Sequence, residues 1–357
     1  MDASAVLQEL EQLHRSLQVG DAFPSQRELL ERLDASERIV RGALDEFQRQ
    51  GKIIRRVGRG GSVVAEPWKS DESNGTISAT STPSSTIAVI TQPDRSFFDH
   101  AVHLLHKSVE SRNLTLSCHV VTPATNVLSM LPTWNERPLG CIVFRSELYP
   151  LAHELQAAGQ RVVWVGTPKP GVVSEAPNVH GNHEQGGYQA TKHLLQLGHR
   201  RLAFWGGADL KTTLRWRGHE RAVAEMQRQG QTVEVDTISD EQFEGWRSRP
   251  EVGKAYFSRS NAPTGLLCWN DSSALEMLTF LTFIGVRVPH DVSLVGYDNL
   301  PASAKVFPPL TTVDSNLEQQ LEAALDLLSQ PPSCAPVVIT VPTLIRRDSS
   351  APLTQKT

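Results

Sequence analysis

Apolar residues recur at two different periods along this chain, and the switch between them divides it. Over the first stretch the period is helical. In "SAVLQELEQLHRSL", Val6, Leu10, Leu13 and Leu17 fall three or four apart, which predicts an amphipathic helix. "VGDAFP" breaks it. "SQRELLERL" predicts a second helix, with Ser25 as N-cap and Glu28, three residues on, completing a capping box. After the tight turn "DAS", "SERIVRGALDEFQRQG" predicts a third helix, capped by Ser36 and closed by Gly51. Its apolar stripe is Ile39, Val40, Ala43, Leu44 and Phe47. In "IIRRVGRGGSVV" two β-branched runs flank a glycine-rich tip, so residues 52–56 and 62–65 read as a hairpin. Two helices joined by a tight turn and followed at once by a hairpin make a winged helix-turn-helix.

From residue 86 onward, short apolar runs alternate with amphipathic helices. "STIAVIT", "LTLSCHVV", "GCIVF", "RVVWVG", "RRLAFWGG", "GLLCWN" and "VSLVGYD" predict strands, with helical patterns between them. Such alternation implies parallel sheets covered by helices on both faces. The strands are too many for one compact sheet, and "NVHGNHEQGG" interrupts the rhythm, so two α/β lobes with a cleft between them are expected. Ligands of such sheets sit at the carboxyl ends of strands. That makes Gln92, Asn182, Asn270 and Asp298 candidates, with Arg215 at a helix start just after a strand. A guanidinium and a carboxylate can each hold adjacent hydroxyls bidentately, which suits a polyhydroxylated ligand. Phe97 and Phe98 could cover an apolar sugar face. The competing reading for each polar residue is a helix cap or a strand end.

Composition adds a boundary. Ten of the seventeen residues from Ser70 to Thr86 are Ser or Thr, too polar to order themselves by burial, so residues 68–85 read as a flexible linker. The 357-residue chain carries a net charge of −4 and is no basic nucleic-acid coat. Locally the balance reverses: between Ser36 and Arg59 seven basic residues face three acids. Arg38 and Arg41 share the helix face opposite the apolar stripe, where they could reach base edges or phosphates. Gly58, Gly60 and Gly61 let the hairpin tip turn and approach a backbone, with Arg59 aimed into a groove or onto phosphate.

Several classes are not supported. The N-terminus lacks a basic segment followed by an apolar run, and no window approaches a membrane span, so a cytoplasmic protein without membrane contact is expected. Cys118, Cys141, Cys268 and Cys334 are far apart and read as buried free thiols. "GGADLKT" lacks the spacing of a phosphate loop. His100, His103 and His106 drift round a helix instead of stacking, and no Ser-His-Asp arrangement is evident. Neither enzyme, metal nor cofactor is therefore expected.

The stretch "FPSQRELLERLDASERIVRGALDEFQRQGKIIRRVGRGGSVVA" resembles the winged helix-turn-helix of GntR-family repressors. The resemblance implies DNA contacts from Ser25 and Arg27, from Ser36, Glu37, Arg38 and Arg41 on the recognition helix, and from Gly58, Arg59 and Gly60 in the wing. Glu37 stands where that family usually has an arginine. "NVHGNHEQGGYQATKHLLQLGHRRLAFWGG", "RWRGHERAV", "CWNDSSALEML" and "VPHDVSLVGYDNLPASAKVFPPLTTVD" resemble the effector-binding core of LacI/GalR repressors. That resemblance implies a two-lobed periplasmic-binding-protein-like fold, usually dimeric, that binds sugars or nucleosides. It places Arg215, Asn270 and Asp298 at ligand positions and Phe97 and Phe98 among the pocket residues. Asn182-His183 replaces the usual Asp-Asn, Ser315 a frequent Gln, and His219 an aromatic. A GntR head on such a core resembles the layout of arabinose-responsive repressors.

The expected organisation is a winged helix-turn-helix over 1–67, a linker over 68–85, an α/β core over 86–350 and a disordered tail over 351–357. The core's lobes are expected at 86–184 plus 316–334, and 185–315 plus 335–350. The expected function is a ligand-responsive transcriptional regulator, a homodimer on a double-stranded operator with a small sugar as effector. A nucleoside or sugar-derivative sensor, or an activator, is the alternative. A solute-binding protein or an enzyme with a regulatory head is more remote.

Overall fold

In the computed structural model, residues 3–17, 22–33, 35–49, 53–55, 62–64, 85–92, 95–121, 138–168, 176–207, 211, 213–329 and 336–353 are described. The head begins with α1 (Ala3–Ser16), β1 (Ala22–Phe23), α2 (Gln26–Arg32) and α3 (Glu37–Arg49), followed by β2 (Ile53–Arg55) and β3 (Ser62–Val64). Ser25 caps α2: its hydroxyl accepts from Glu28 N at 3.3 Å, and the Glu28 carboxylate accepts from Ser25 N at 2.7 Å. This is the capping box the sequence announces. The apolar stripes of the three helices meet in one small core of Val6, Leu10, Leu29, Val40, Leu44 and Phe47. The hairpin has a third strand that periodicity did not reveal, because two-residue β1 pairs with β3 on the side away from β2.

The first lobe runs through β4 (Thr86–Thr91), α4 (Arg95–Glu110), β5 (Thr115–Val120), β6 (Gly140–Phe144), α5 (Tyr149–Ala157), β7 (Val162–Val165) and β8 (Asn178–Gly181). The chain then crosses into the second lobe. There it forms α6 (His183–Gln196), β9 (Arg201–Trp205), α7 (Leu214–Arg228), β10 (Glu234–Ile238), α8 (Asp240–Ser248), α9 (Pro250–Ser258), β11 (Gly265–Cys268), α10 (Asp271–Phe283), β12 (Ser293–Tyr297) and β13 (Thr311–Asp314). It returns through α11 (Leu317–Ser329) and β14 (Val337–Thr340), then crosses once more to β15 (Thr343–Ile345). The sheet orders are β14-β8-β7-β6-β4-β5 and β10-β9-β11-β12-β13-β15. All core pairings are parallel except β13 with β15.

Parallel strands covered on both faces have no wet side, so they read as continuous apolar runs. Strand β6 is buried at all five positions and β12 likewise. Helix α11 lays Leu317, Leu321, Ala324, Leu325 and Leu328 on the first sheet, which is why this late segment belongs to the first lobe. Two expected boundaries change. Strand β14 pairs with β8, so residues 337–340 extend the first sheet, not the second, and the last crossing falls at 341–342. Residues 351–353 are not a loose tail. Ala351 N donates to Ser293 Oγ at 3.1 Å and Leu353 N to Leu197 O at 2.8 Å. Cys141 and Cys268 are buried, but Cys118 is exposed because β5 is an edge strand; Cys334 lies outside the described residues. Among the described residues no helix is long and apolar enough to cross a membrane.

The three crossings are linked by hydrogen bonds through Thr340 and the Ser315 carbonyl. Ser315 O accepts from Gln320 Nε2 at 2.7 Å and from Thr340 Oγ1 at 2.8 Å, while Asn182 N donates to Thr340 O at 2.9 Å. Helices α6 and α7 touch backbone to backbone. A Cβ on Gly187 would lie 2.1 Å from Arg215 O, and one on Gly218 would lie 1.9 Å from Glu184 O. Only glycine permits that approach, and it sets where the first turn of α7 stands.

Two stability predictions follow from these contacts. Gly218→Ala should destabilise the core by about 1–3 kcal/mol, since it forces two helix backbones apart. Gly245→Ala, where an added Cβ meets nothing within 4 Å, should stabilise α8 by about 0.5–1 kcal/mol. Chemical denaturation checks both, and equal effects would contradict the packing described. A third prediction concerns pH. Burial pushes His219 down to about 4, and burial with Arg346 and His199 takes His193 down to about 4. The unfolded chain therefore takes up protons first, and stability is lost as pH falls from about 6.5 to 4. For His219 the loss is of the order of 3 kcal/mol. Unfolding curves across that window should flatten in His219→Phe.

Candidate functional site

At the carboxyl ends of the second sheet's strands the chain builds a polar site on an aromatic floor. Thr213 caps α7, its Oγ1 accepting from Trp216 N at 3.2 Å, and this fixes Arg215 in the first turn. The Arg215 guanidinium donates through Nη1 to Trp269 O and through Nη2 to Asp298 Oδ1 at 3.2 Å. It lies 3.8 Å from the Tyr297 ring centroid and 4.6 Å from that of Trp269. The two charged side chains are only 12% and 8% exposed, so the pair is largely shielded from solvent screening. Tyr297 Oη lies 3.0 Å from His183 Nδ1. Lost hydration, followed by the Arg215 and His180 charges, holds His183 well below the ordinary histidine range. Burial likewise pushes the Tyr297 phenol up. Both groups are thus neutral near pH 7, and the charge at this site belongs to Arg215 and Asp298.

The Asp298 carboxylate is held by a strained turn. Asp298 has φ 105° and Asn299 φ 52°, two successive non-glycine residues in the left-handed region. Such strain persists only where surroundings over-determine it. Here Asp271, fully buried, accepts from Leu300 N at 2.7 Å and from Thr312 Oγ1 at 2.5 Å. Arg347 Nη2 donates to Asn299 Oδ1 at 2.7 Å, and Asn299 Nδ2 donates to Asp314 Oδ2 at 3.0 Å. Burial lifts Asp271 to about 6, against the hydrogen bonds that favour its charged form.

Of the residues expected from strand ends, Arg215 and Asp298 are in direct contact. Asn270 adjoins them but uses its side chain to cap α10, accepting from Ser273 N at 2.8 Å. Asn182 is exposed and caps α6, accepting from Gln185 N at 3.0 Å. For these two the helix-cap alternative is what the geometry displays. Gln92 is half-buried at the end of β4. Phe97 and Phe98 pack on the first lobe's core, and Phe98 meets Phe144 edge-on at 6.4 Å. Trp269, Tyr297 and His183 were not foreseen. The available signal was an aromatic residue directly before each of Asn270 and Asp298.

In the head, Ser36, Glu37, Arg38, Arg41 and Gly42 are exposed, and Arg38 and Gly42 lie on the side of α3 opposite Val40, Ala43, Leu44 and Phe47. Arg27 is exposed and pairs with Glu31 at 3.1 Å. Gln26 Nε2 donates to Glu37 Oε1 at 3.2 Å, tying the two helices together. Gly58, Arg59 and Gly60 lie outside the described residues. Ser25 spends its hydroxyl on the cap.

Comparison with known proteins agrees with both halves. Residues 3–63 match the bacterial regulatory proteins of the gntR family, and residues 191–350 match the periplasmic binding protein-like domain. The HTH-type transcriptional repressor PurR of Haemophilus influenzae is 30% identical over 255 residues, 67% of this chain and 71% of that protein. PurR of Photobacterium profundum is 36% identical over 154 residues, 43% of this chain and 45% of its own length. Several other PurR relatives are likewise matched over under half their length. Among solved structures, a LacI family regulator from Enterococcus faecium with bound ribose superposes with a TM-score of 0.61 at 21% identity. It covers 75% of this chain and 100% of its own. The transcriptional regulator CelR in complex with cellobiose covers 96% of this chain and 99% of its own, with a TM-score of 0.60 at 18% identity. Fold, head and relatives together show that the chain belongs to the family of LacI-type transcriptional regulators, its periplasmic-binding-protein-like core joined to a GntR-type helix-turn-helix head.

Proposed function

We infer that the chain is a cytoplasmic homodimeric repressor whose core binds a small neutral polyhydroxylated molecule, a sugar or close derivative, and thereby alters operator binding. It acts by binding, not by catalysis. The observation that carries the effector reading is the Arg215–Asp298 pair, braced over Trp269 and Tyr297 at the strand ends. A guanidinium has five N–H donors, and the bonds to Trp269 O and Asp298 account for two. Donors and carboxylate oxygens side by side match vicinal hydroxyls, which both donate and accept. Relatives of the same fold were crystallised with ribose, D-xylulofuranose and cellobiose, which supports this chemical class. The DNA reading rests on the exposed arginines of α3. One head spans only a half-site, so a dimer on a pseudo-palindromic operator follows.

For the effector, calorimetry against a panel of pentoses, hexoses and disaccharides should find a binder. Arg215→Lys keeps the charge but loses the planar fork, and should weaken that ligand by about 1–3 kcal/mol while the fold survives. Undiminished affinity in Arg215→Lys and in Asp298→Asn would overturn the assignment.

For DNA, Arg41→Ala should weaken specific binding by about 1–3 kcal/mol if it reads a base. Arg59→Ala should weaken all sequences alike and lower the salt slope by about one unit, as loss of a phosphate contact does. Titrations at several salt concentrations separate these outcomes, and unchanged binding in both variants would remove the head from DNA.

A further inference from the structure

Glu37 is an anomaly on the face it occupies. It is exposed in the first turn of α3, one residue from Arg38 and four from Arg41, both also exposed. A carboxylate there faces a polyanion and is repelled by phosphate. Yet its orientation is constrained, because Gln26 Nε2 from the preceding helix donates to its Oε1 at 3.2 Å. A loose surface acid on a docking face could swing away from the backbone charge, whereas one tethered to α2 is held at the N-terminal end of α3. One turn beyond Arg38, on its side of the helix, Gly42 has nothing within 4 Å of where its Cβ would be. That leaves room for a close approach of base edges.

We propose that Glu37, positioned by Gln26, reads a cytosine in each operator half-site by accepting a hydrogen bond from the N4 amino group. This rests on the DNA-binding reading above and names its specificity. The chemistry is selective. An ionised carboxylate only accepts. Guanine presents N7 and O6, and thymine O4, in the major groove, and all of these repel it. Adenine offers N6–H but sets the N7 acceptor beside it, where the second carboxylate oxygen would lie. Cytosine alone offers an amino donor with no acceptor next to it on its major-groove edge. Arg38 and Arg41 supply the attraction to phosphate that offsets the nearby negative charge. Gln26 is a positioning residue and need not touch DNA.

The test is selection from a library of randomised double-stranded DNA with the full-length chain, followed by titration of the recovered site and its single-base changes. The wild type should select one C·G pair per half-site that tolerates no other pair, with about a 10-fold loss on changing it to T·A, which replaces the donor by an acceptor. Glu37→Ala should select freely at that position and leave every other position unchanged, which also shows that the variant is folded. Glu37→Arg should move the preference to guanine. Gln26→Ala should blunt the preference for cytosine without switching it, a change that simple loss of head stability would not produce at a single position. A wild-type site whose base preferences are all retained in Glu37→Ala would overturn the proposal alone. A wild-type chain that enriches no sequence would overturn the DNA-binding reading and this proposal with it.

Discussion

A guanidinium placed in a nearly dry setting has to be met by a carboxylate and a carbonyl, and that requirement organises the second lobe. Arg215 is 12% exposed, so its charge cannot rely on water. Its partner Asp298 sits on a turn of positive φ that side chains seldom adopt. The turn survives because Asp271, Thr312, Asn299 and Arg347 hold the backbone on either side of it. The other end of the contact is fixed by glycine. With side chains on Gly187 and Gly218, α7 would stand farther from α6, and the guanidinium would move off the Tyr297 ring. Close helix packing, a strained turn and a buried polar network therefore serve one geometry. Such a network is costly when partly satisfied, which gives each member leverage over the pair.

The same logic explains why the histidines near the site stay neutral. His183 lies beside Arg215, and a second positive charge there would be repelled as well as desolvated. His219 bonds Thr191 Oγ1 through Nδ1 at 2.9 Å, while Nε2 is buried among Phe204 and Trp216 without a partner. Since Thr191 gives its own proton to Gly187 O, the imidazole must be the donor. The unpaired nitrogen then lies among the rings of Phe204 on β9 and Trp216, which shares α7 with Arg215. Protonation of His219 would place an unmatched charge behind the site, so acid weakens the lobe from within its core.

Much of this architecture was legible because burial writes period into sequence. The capping box at Ser25 and the stripe from Val40 to Phe47 gave the head, and the alternation of apolar runs and helices gave the two sheets. What escaped had a physical reason. Strand β8 was read as an interruption because it carries Asn178 and His180 inside a buried strand. Asn178 is admitted there only because its Nδ2 donates to Trp164 O and Gly166 O. Strand β14 went to the wrong lobe because its partner, β8, lies about 160 residues earlier, and no local pattern encodes such a pairing. At the site, Arg215 and Asp298 are in contact, while Asn182 and Asn270 accept from helix N–H groups. A strand-end asparagine ahead of a helix satisfies both readings in sequence, and only the hydrogen bond separates them. Phe97 and Phe98, expected to cover an apolar sugar face, are partly buried where they pack on the first lobe's core.

The separation of the lobes constrains how an effector could act. Arg215, Asp298, Trp269 and Tyr297 all belong to the second lobe. A ligand that touched only these would bind equally well whatever the angle between the lobes, and could shift no equilibrium between two core states. Coupling to the head therefore requires contacts from the first lobe that form in one state and not the other. The carboxyl ends of β4, β6 and β7 are the places from which they can come. Gln92 is the polar side chain identified there from sequence, half-buried and at the end of β4. The lobes are joined by three crossings, two of which meet at the Ser315 carbonyl while the third bonds to Thr340 O, so rotation of one lobe must strain or re-form the bonds among them. Affinity would reside in the second lobe, and response in the few groups of the first that reach the same ligand. Substitutions at Arg215 and at Gln92 should for that reason fail differently, the first by losing the ligand and the second by keeping it without consequence for DNA.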